Sequence, residues 1–378
     1  MTALFVCAGT AGHVNPAIAV AEELRSQYPD SKIIFIGANK AIEKKLVPQA
    51  GFELVNIEMT GLRRGFSPSD IIFNIKTAIN LMKASAKSSK LLKEYNPDFV
   101  FGTGAYICYP VMKKASKRGI PTFILEPNAY PGLAVKMLDN AVDKIFVTYK
   151  GLENNFKHPK KVIHTGTPLQ KNFFEADDSA EKSDGNKRLV VSFFGSLGAS
   201  KINEMMIDFI KLNTSEASFR HIHASGISDG ESKFKSKLTE NGVTDVDSSI
   251  TDIREYITDM PSVMNSADLI ICRSGASTLA ELTALGKPAI LVPSPYVTDN
   301  HQEVNAKRLF DAGGAVMILE KECTGEILYK TAVSLLSNKN KLEQMSNAQK
   351  SLATMNSADN IVKLMVGYCN EKEGGSEK

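Results

Sequence analysis

The chain has 378 residues, 43% hydrophobic and 23% charged, a composition that fits two or three folded domains and excludes a disordered polymer. Its formal net charge of +3 hides an asymmetry: residues 1–165 hold 22 Lys and Arg against 13 Asp and Glu, and the remainder holds 23 against 29. Five scattered cysteines without a C-x-x-C argue against a disulfide framework or a zinc knuckle, and no apolar run reaches the roughly 18–20 residues of a membrane span.

In chain order, short apolar runs alternate with segments of helical period. The first set is Leu4–Ala8, Lys32–Gly37, Phe99–Gly102, Pro121–Glu126, Lys144–Val147 and Val162–Thr165. The second is Leu189–Phe194, Arg220–Ala224, Asp268–Cys272, Ala289–Val292 and Ala315–Leu319. Unbroken hydrophobicity marks strands buried on both faces, as in parallel sheets, and the stretches between are long enough for crossover helices. Two doubly wound α/β domains are expected, at 1–165 and about 188–350, joined through the polar, aperiodic Ser179–Lys187. A helix at about 355–370 is expected to pack back on the first domain. Each half opens alike: strand, Gly-x-x-Gly, apolar-periodic helix. The chain begins at once with Thr2–Ala8 and no basic leader, so a soluble, cytoplasmic protein is expected.

The basic first half implies an anionic partner, either a phosphorylated substrate or a membrane surface. Nucleic acid fits poorly, because there is no Trp and no stripe of aromatics among the Lys and Arg. The glycine turns Gly9–Gly12 and Gly195–Gly198 expose backbone N–H groups at helix starts, where phosphate can sit, although tight strand–helix packing alone also wants glycine there. Arg273–Glu281 makes a third such start. Glu281 could accept from ribose hydroxyls or, through Thr278-x-x-Glu281, close a capping box. Asp299–Asn305 places carboxamides at a sheet edge, where they could read sugar hydroxyls or simply open a helix. His13 stands in the first glycine turn as a general base or a polar cap neighbour. Asp245-Val246-Asp247 has the D-x-D form of a metal site, but its polar loop context reads as surface.

Together these segments resemble the MurG family of N-acetylglucosaminyltransferases over nearly the whole chain. The resemblance rests on Gly9-Thr10-Ala11-Gly12-His13-Val14-x-Pro16, Gly102-Thr103-Gly104-Ala105-Tyr106 and Glu126-x-Asn128-Ala129-x-Pro131-Gly132. It continues through Gly195-Ser196-Leu197-Gly198-Ala199, Arg273–Glu281 and His301-Gln302-x-x-Asn305-Ala306. It implies a GT-B fold, two Rossmann-like domains facing a cleft, and inverting transfer of GlcNAc from UDP-GlcNAc to the MurNAc C4 hydroxyl of lipid I, without a metal. By the same resemblance Glu281 takes the ribose, the Ile257 backbone the uracil, and Ser196 with Ala276, Ser277 and Thr278 the diphosphate. Gln302 reads the sugar, Asn128 and the Thr10–Ala11–Gly12 turn lie across the cleft, and His13 falls on the candidate base. The implied setting is the cytoplasmic face of the plasma membrane, with lipid I on the inner leaflet, an anionic membrane surface and a cell-wall synthesis complex as partners. Leu62–Phe66 and the apolar Ile71, Ile72, Phe73, Ile75 and Ile79 beside Lys76 and Lys83 are the expected docking segment. Ala11, Ala105, Pro127, Gln170 and Leu197 depart from the family pattern. The competing readings are another GT-B glycolipid glycosyltransferase and a catalytically silent sugar-nucleotide-binding protein.

Overall fold

The computed structural model describes residues 1–59, 67–174, 187–244, 246–297 and 300–374, without the side chains of 68, 70–76, 78 and 373. The chain divides into two compact units, one of residues 1–170 with 354–378 and one of 171–353.

The first unit runs β1 (Thr2–Val6), α1 (Ala11–Gln27), β2 (Lys32–Gly37), α2 (Ala41–Gln49), β3 (Glu53–Asn56), α3 (Pro68–Tyr95) and β4 (Phe99–Gly102). It continues with α4 (Cys108–Ser116), β5 (Thr122–Glu126), α5 (Leu133–Leu138), β6 (Lys144–Val147) and β7 (Val162–His164). The strands form one parallel sheet in the order β3-β2-β1-β4-β5-β6-β7. Alternation along β1 explains its unbroken apolar sequence. Ala3 and Phe5 enter one core, Leu4 and Val6 the other, and all four are fully buried. One face is a phenylalanine layer in which Phe5 stacks on Phe35 at 5.3 Å and Phe123 on Phe146 at 6.2 Å. Such rings contribute roughly 1.5–3 kcal/mol each by burial.

The second unit comprises β8 (Leu189–Phe193), α6 (Ser200–Glu216), β9 (Arg220–Ala224), α7 (Glu231–Glu240), β10 (Thr251–Arg254), α8 (Met260–Ser266) and β11 (Leu269–Cys272). After these come α9 (Ala276–Leu285), β12 (Ala289–Leu291), α10 (His301–Asp311), β13 (Ala315–Met317), α11 (Gly325–Leu336) and α12 (Lys339–Leu352). Its sheet is parallel in the order β10-β9-β8-β11-β12-β13. The last helix, α13 (Ser357–Gly374), belongs to the first unit. Ile361, Val362, Met365 and Val366 join the phenylalanine layer beside α1, and Tyr368 donates to Asp143 at 2.7 Å.

Candidate active site

In each sheet the strand order reverses at the unit's first strand, β1 between β2 and β4, and β8 between β9 and β11. Loops diverge from the carboxyl ends of these strands, and open α/β sheets take their ligands in the crevice so formed.

In the first unit, Gly9 turns the chain with φ +95° and Thr10 precedes α1 as its N-cap, without a side-chain capping bond. Nδ1 of His13 donates to the Thr103 carbonyl at 2.6 Å, and the Thr103 hydroxyl donates to the His13 carbonyl at 2.7 Å. A carbonyl only accepts, so Nδ1 carries the proton and the neutral ring has its lone pair on Nε2. That is the tautomer a general base requires. Gly104 turns the chain beside this ring at φ +86°, a backbone conformation that favours glycine; a Cβ there would make only ordinary contact with Cε1 of His13, at 3.7 Å. Asn128 is held by Glu126, whose Oε1 accepts from the Asn128 backbone and side-chain nitrogens at 3.0 Å each, while Oε2 accepts from Gly132 N–H at 2.8 Å. Burial pushes the Glu126 carboxyl up to about 7 against the pull of these donors. Ala11 and Ala105 both lie outside the left-handed region, so each accommodates its Cβ. Gln170 donates to Glu22 at 3.3 Å.

Sequence reasoning misses Glu43. Fully buried on α2, it accepts from the Ala38 and Lys40 N–H groups at 3.1 and 2.8 Å and reaches Gly9 N–H at 3.4 Å. The one local signal is an acid three residues into a helix start, which says nothing of the long-range bond to Gly9.

The second unit builds its crevice from two interlocked turns. A Cβ on Gly198 (φ +81°) would meet the Ser225 carbonyl at 2.3 Å, and one on Gly226 (φ +83°) would meet Gly198 N at 2.2 Å. Gly226 is the second residue the sequence does not single out, because its need for glycine arises only when the two loops cross. Ser196, half-buried in the first of these turns, accepts from Ile227 N–H at 3.2 Å through its carbonyl.

Across the reversal, α9 starts at Ala276 with Gly275 as N-cap. Thr278 therefore lies within the first turn, and the Thr278–Glu281 capping box does not form. Glu281 is 7% exposed, and desolvation alone pushes its carboxyl up to about 7. Its charge in turn raises the Tyr256 phenol, after burial as the larger cause, which places it beside the segment carrying the buried Ile257. A desolvated carboxyl next to a buried backbone segment can accept hydrogen bonds from a diol beside a base. Ala276 and Ser277 are buried and Thr278 half-buried at the same helix start. Gln302 enters from α10, whose N-cap Asn300 takes φ +50°. Its Oε1 accepts from Ser294 N–H at 2.9 Å and its carbonyl accepts from the Ser274 hydroxyl at 2.7 Å. With one end fixed as acceptor, the Gln302 amide presents N–H donors. A cavity of about 320 Å³ is lined by Phe194, Gly198, Ala199, Ser200, Lys201, Arg273, Ser294, Tyr296 and Gln302.

The predicted residues thus fall into two groups. Thr10, Ala11, Gly12, His13 and Asn128 stand at the first sheet's edge; Ser196, Ile257, Ala276, Ser277, Thr278, Glu281 and Gln302 stand at the second's. In the D-x-D stretch, Asp245 lies outside the described residues and Asp247 accepts from the Ser249 N–H and hydroxyl at 2.8 and 2.7 Å, a turn-forming role.

Residues 3–147 match the model of the glycosyltransferase family 28 N-terminal domain and 189–363 that of the C-terminal domain. The fold and the two family matches together define a glycosyltransferase of the GT-B class. A UDP-N-acetylglucosamine–N-acetylmuramyl-(pentapeptide) pyrophosphoryl-undecaprenol N-acetylglucosamine transferase of Acetivibrio thermocellus is 40% identical over 97% of this chain and 98% of its own. The crystal structure of Acinetobacter baumannii MurG superposes with a TM-score of 0.71 at 25% identity, covering 97% of this chain and 99% of that one. The chain belongs to this family of N-acetylglucosamine transferases. A UDP-GlcNAc 2-epimerase from Neisseria meningitidis shares the fold alone, with a TM-score of 0.68 at 14% identity over 97% of this chain and 100% of its own.

Proposed function

We propose that the protein transfers GlcNAc from UDP-GlcNAc to the MurNAc C4 hydroxyl of undecaprenyl-diphospho-MurNAc-pentapeptide, with inversion. The observation that carries this reading is the 40% identity, nearly end to end, with a relative so named; the donor pocket by itself would admit other UDP-sugars. The acceptor oxygen forms its bond to C1 as the bond from C1 to the β-phosphate oxygen breaks. The electron pair stays on the diphosphate, and the acceptor proton passes to Nε2 of His13. Glu281 holds the ribose, the Ile257 backbone the uracil, and Gln302 the sugar hydroxyls. Ser196 and the Ala276–Thr278 helix start meet the diphosphate, where preorganised N–H groups stabilise the departing charge. The test offers UDP-[¹⁴C]GlcNAc with a lipid I analogue and, separately, with diacylglycerol. Label is expected in the first product only; label in the second instead would identify a glycolipid synthase, and UDP-GlcNAc binding without transfer a silent binder.

These helix starts supply what a divalent ion supplies in metal-dependent transferases, so transfer is expected to continue in excess EDTA. Complete loss on chelation, restored by Mn²⁺ or Mg²⁺, would contradict the metal-independent route.

The lipid acceptor is reached from an anionic surface. Among the described residues no helix is long and apolar enough to cross a membrane. Leu62–Phe66 lie outside the described residues, as do the side chains of Ile71, Ile72, Phe73, Ile75 and Lys76. What is described supports docking: Ile79 and Met82 on α3 stand 50% and 73% exposed beside the exposed Lys83. On α5, Leu133 and Met137 are exposed, with Lys136 over the Tyr130 ring at 4.0 Å, and α4 packs against both helices. Exposed apolar side chains beside Lys83 and Lys136 suit an acidic lipid surface, each cation contributing about 1 kcal/mol there. Ile79→Ser with Met82→Ser is expected to weaken binding to vesicles rich in acidic lipid and to slow transfer to the full-length acceptor. Transfer to a short-chain soluble acceptor should be spared, whereas equal losses with both would place these residues in the fold instead.

A further inference from the structure

Lys201 occupies a position that needs an explanation. It is the second residue of α6, where the helix dipole disfavours a cation, yet its side chain is 55% exposed at the rim of the donor cavity. Its ammonium stands 3.3 Å from Oε1 of Glu320, a carboxylate only 2% exposed. That carboxylate already has a cation, since Arg273 meets its Oε2 at 2.6 Å. Arg273 is itself pinned, its second guanidinium nitrogen donating to the Val292 carbonyl at 3.0 Å. One buried carboxylate with two cations leaves a surplus positive charge facing the cavity. Of the two, Lys201 alone is a long, solvent-reaching stem that can turn toward a ligand.

We propose that Lys201 binds the sugar-proximal phosphate of the donor and stabilises the charge left there when the sugar departs. The inference rests on the donor-site reading above and deepens it. The β-phosphate is the one assigned because the lining of this cavity includes Gln302 and Ser294, toward the sugar end, and neither Glu281 nor Ile257. The residues around it complete an anion cradle. The N–H groups of Ala199 and Ser200 at the start of α6 supply oriented dipoles and Lys201 a mobile point charge, which Glu320 holds at the rim; Gly198 N–H is spent on the Gly195 carbonyl at 3.0 Å. As the bond from C1 to the β-phosphate oxygen breaks, the electron pair remains on an oxygen beside this ammonium, which neutralises it without moving a proton.

Calorimetric titration of uridine, UMP and UDP into the full-length protein tests this, using the wild type, Lys201→Met and Lys201→Arg at fixed ionic strength. Lys201→Met is expected to weaken UDP about 10–30-fold, while uridine and UMP change less than twofold and the melting temperature stays within about 2 °C. Lys201→Arg should retain UDP within about threefold, and the loss of UDP affinity with added salt should be shallower in Lys201→Met than in the wild type. Unchanged UDP affinity in Lys201→Met, or an equal loss of UMP, would overturn the assignment of Lys201 while leaving the donor site standing. Failure of the wild type to bind uridine and UDP at all would instead overturn the donor site on which it rests.

Discussion

His13→Ala is expected to lower kcat about 10²–10⁴-fold, the contribution of a positioned general base, while leaving the affinity for UDP-GlcNAc within twofold. The two effects separate because the proposed donor residues Glu281 and Gln302 lie on α9 and α10 of the second unit, whereas His13 is fixed through Thr103 in the first. The bond from Nδ1 to the Thr103 carbonyl matters as much as the ring itself, because it sets the tautomer that keeps the lone pair on Nε2. His13→Gln keeps a donor for that carbonyl but no base, so it should be as slow as His13→Ala with a melting temperature nearer the wild type. Turnover by either variant within threefold of the wild type would reduce His13 to a polar neighbour of the helix start.

Glu281→Ala should weaken UDP-GlcNAc by about 1.5–3 kcal/mol, a factor of roughly 10–160, as hydrogen bonds to a charged group are lost. Its environment adds a pH signature. Burial holds the Glu281 carboxyl near 7 rather than 4.5, so the folded protein keeps a proton there that the unfolded chain releases. Stability therefore falls as pH rises from about 4.5 to 7, by about 3 kcal/mol for this group. Ribose hydroxyls that donate to the carboxylate reverse this preference, so donor binding expels the proton. Affinity for UDP-GlcNAc, whose diphosphate diester does not titrate in this range, is expected to be about tenfold weaker at pH 6 than at pH 8. Glu281→Gln should flatten the profile. A lowered melting temperature with unchanged affinity would make Glu281 a structural residue only.

The strands buried on both faces are legible from sequence because β1, β4, β5, β8 and β11 read as continuous apolar runs. The two strands that escape notice, β3 and β10, carry Glu53 and Asn56, and Asp252 and Arg254, which leave no such run. Local spacing placed the glycine turns but could not decide Glu281, since a capping box and a ribose ligand share one pattern; the helix start at Ala276 decides against the cap. Glu43 and Gly226 were hidden for a different reason. Each acts across a long sequence separation, Glu43 on Gly9 and Gly226 on Gly198, and such needs exist only once the loops have met. Lys201 was likewise silent until Glu320, over a hundred residues on, came within 3.3 Å of it.

NMR of the product formed from UDP-GlcNAc and a lipid I analogue gives the linkage position and its anomeric configuration. The donor holds its sugar in the α configuration, so direct displacement by the acceptor predicts a β-linked GlcNAc on the MurNAc C4 oxygen with one UDP released per linkage. An α-linked product, attachment at another hydroxyl, or UDP-ManNAc accumulating with the acceptor untouched, as a 2-epimerase of this fold would give, would contradict it.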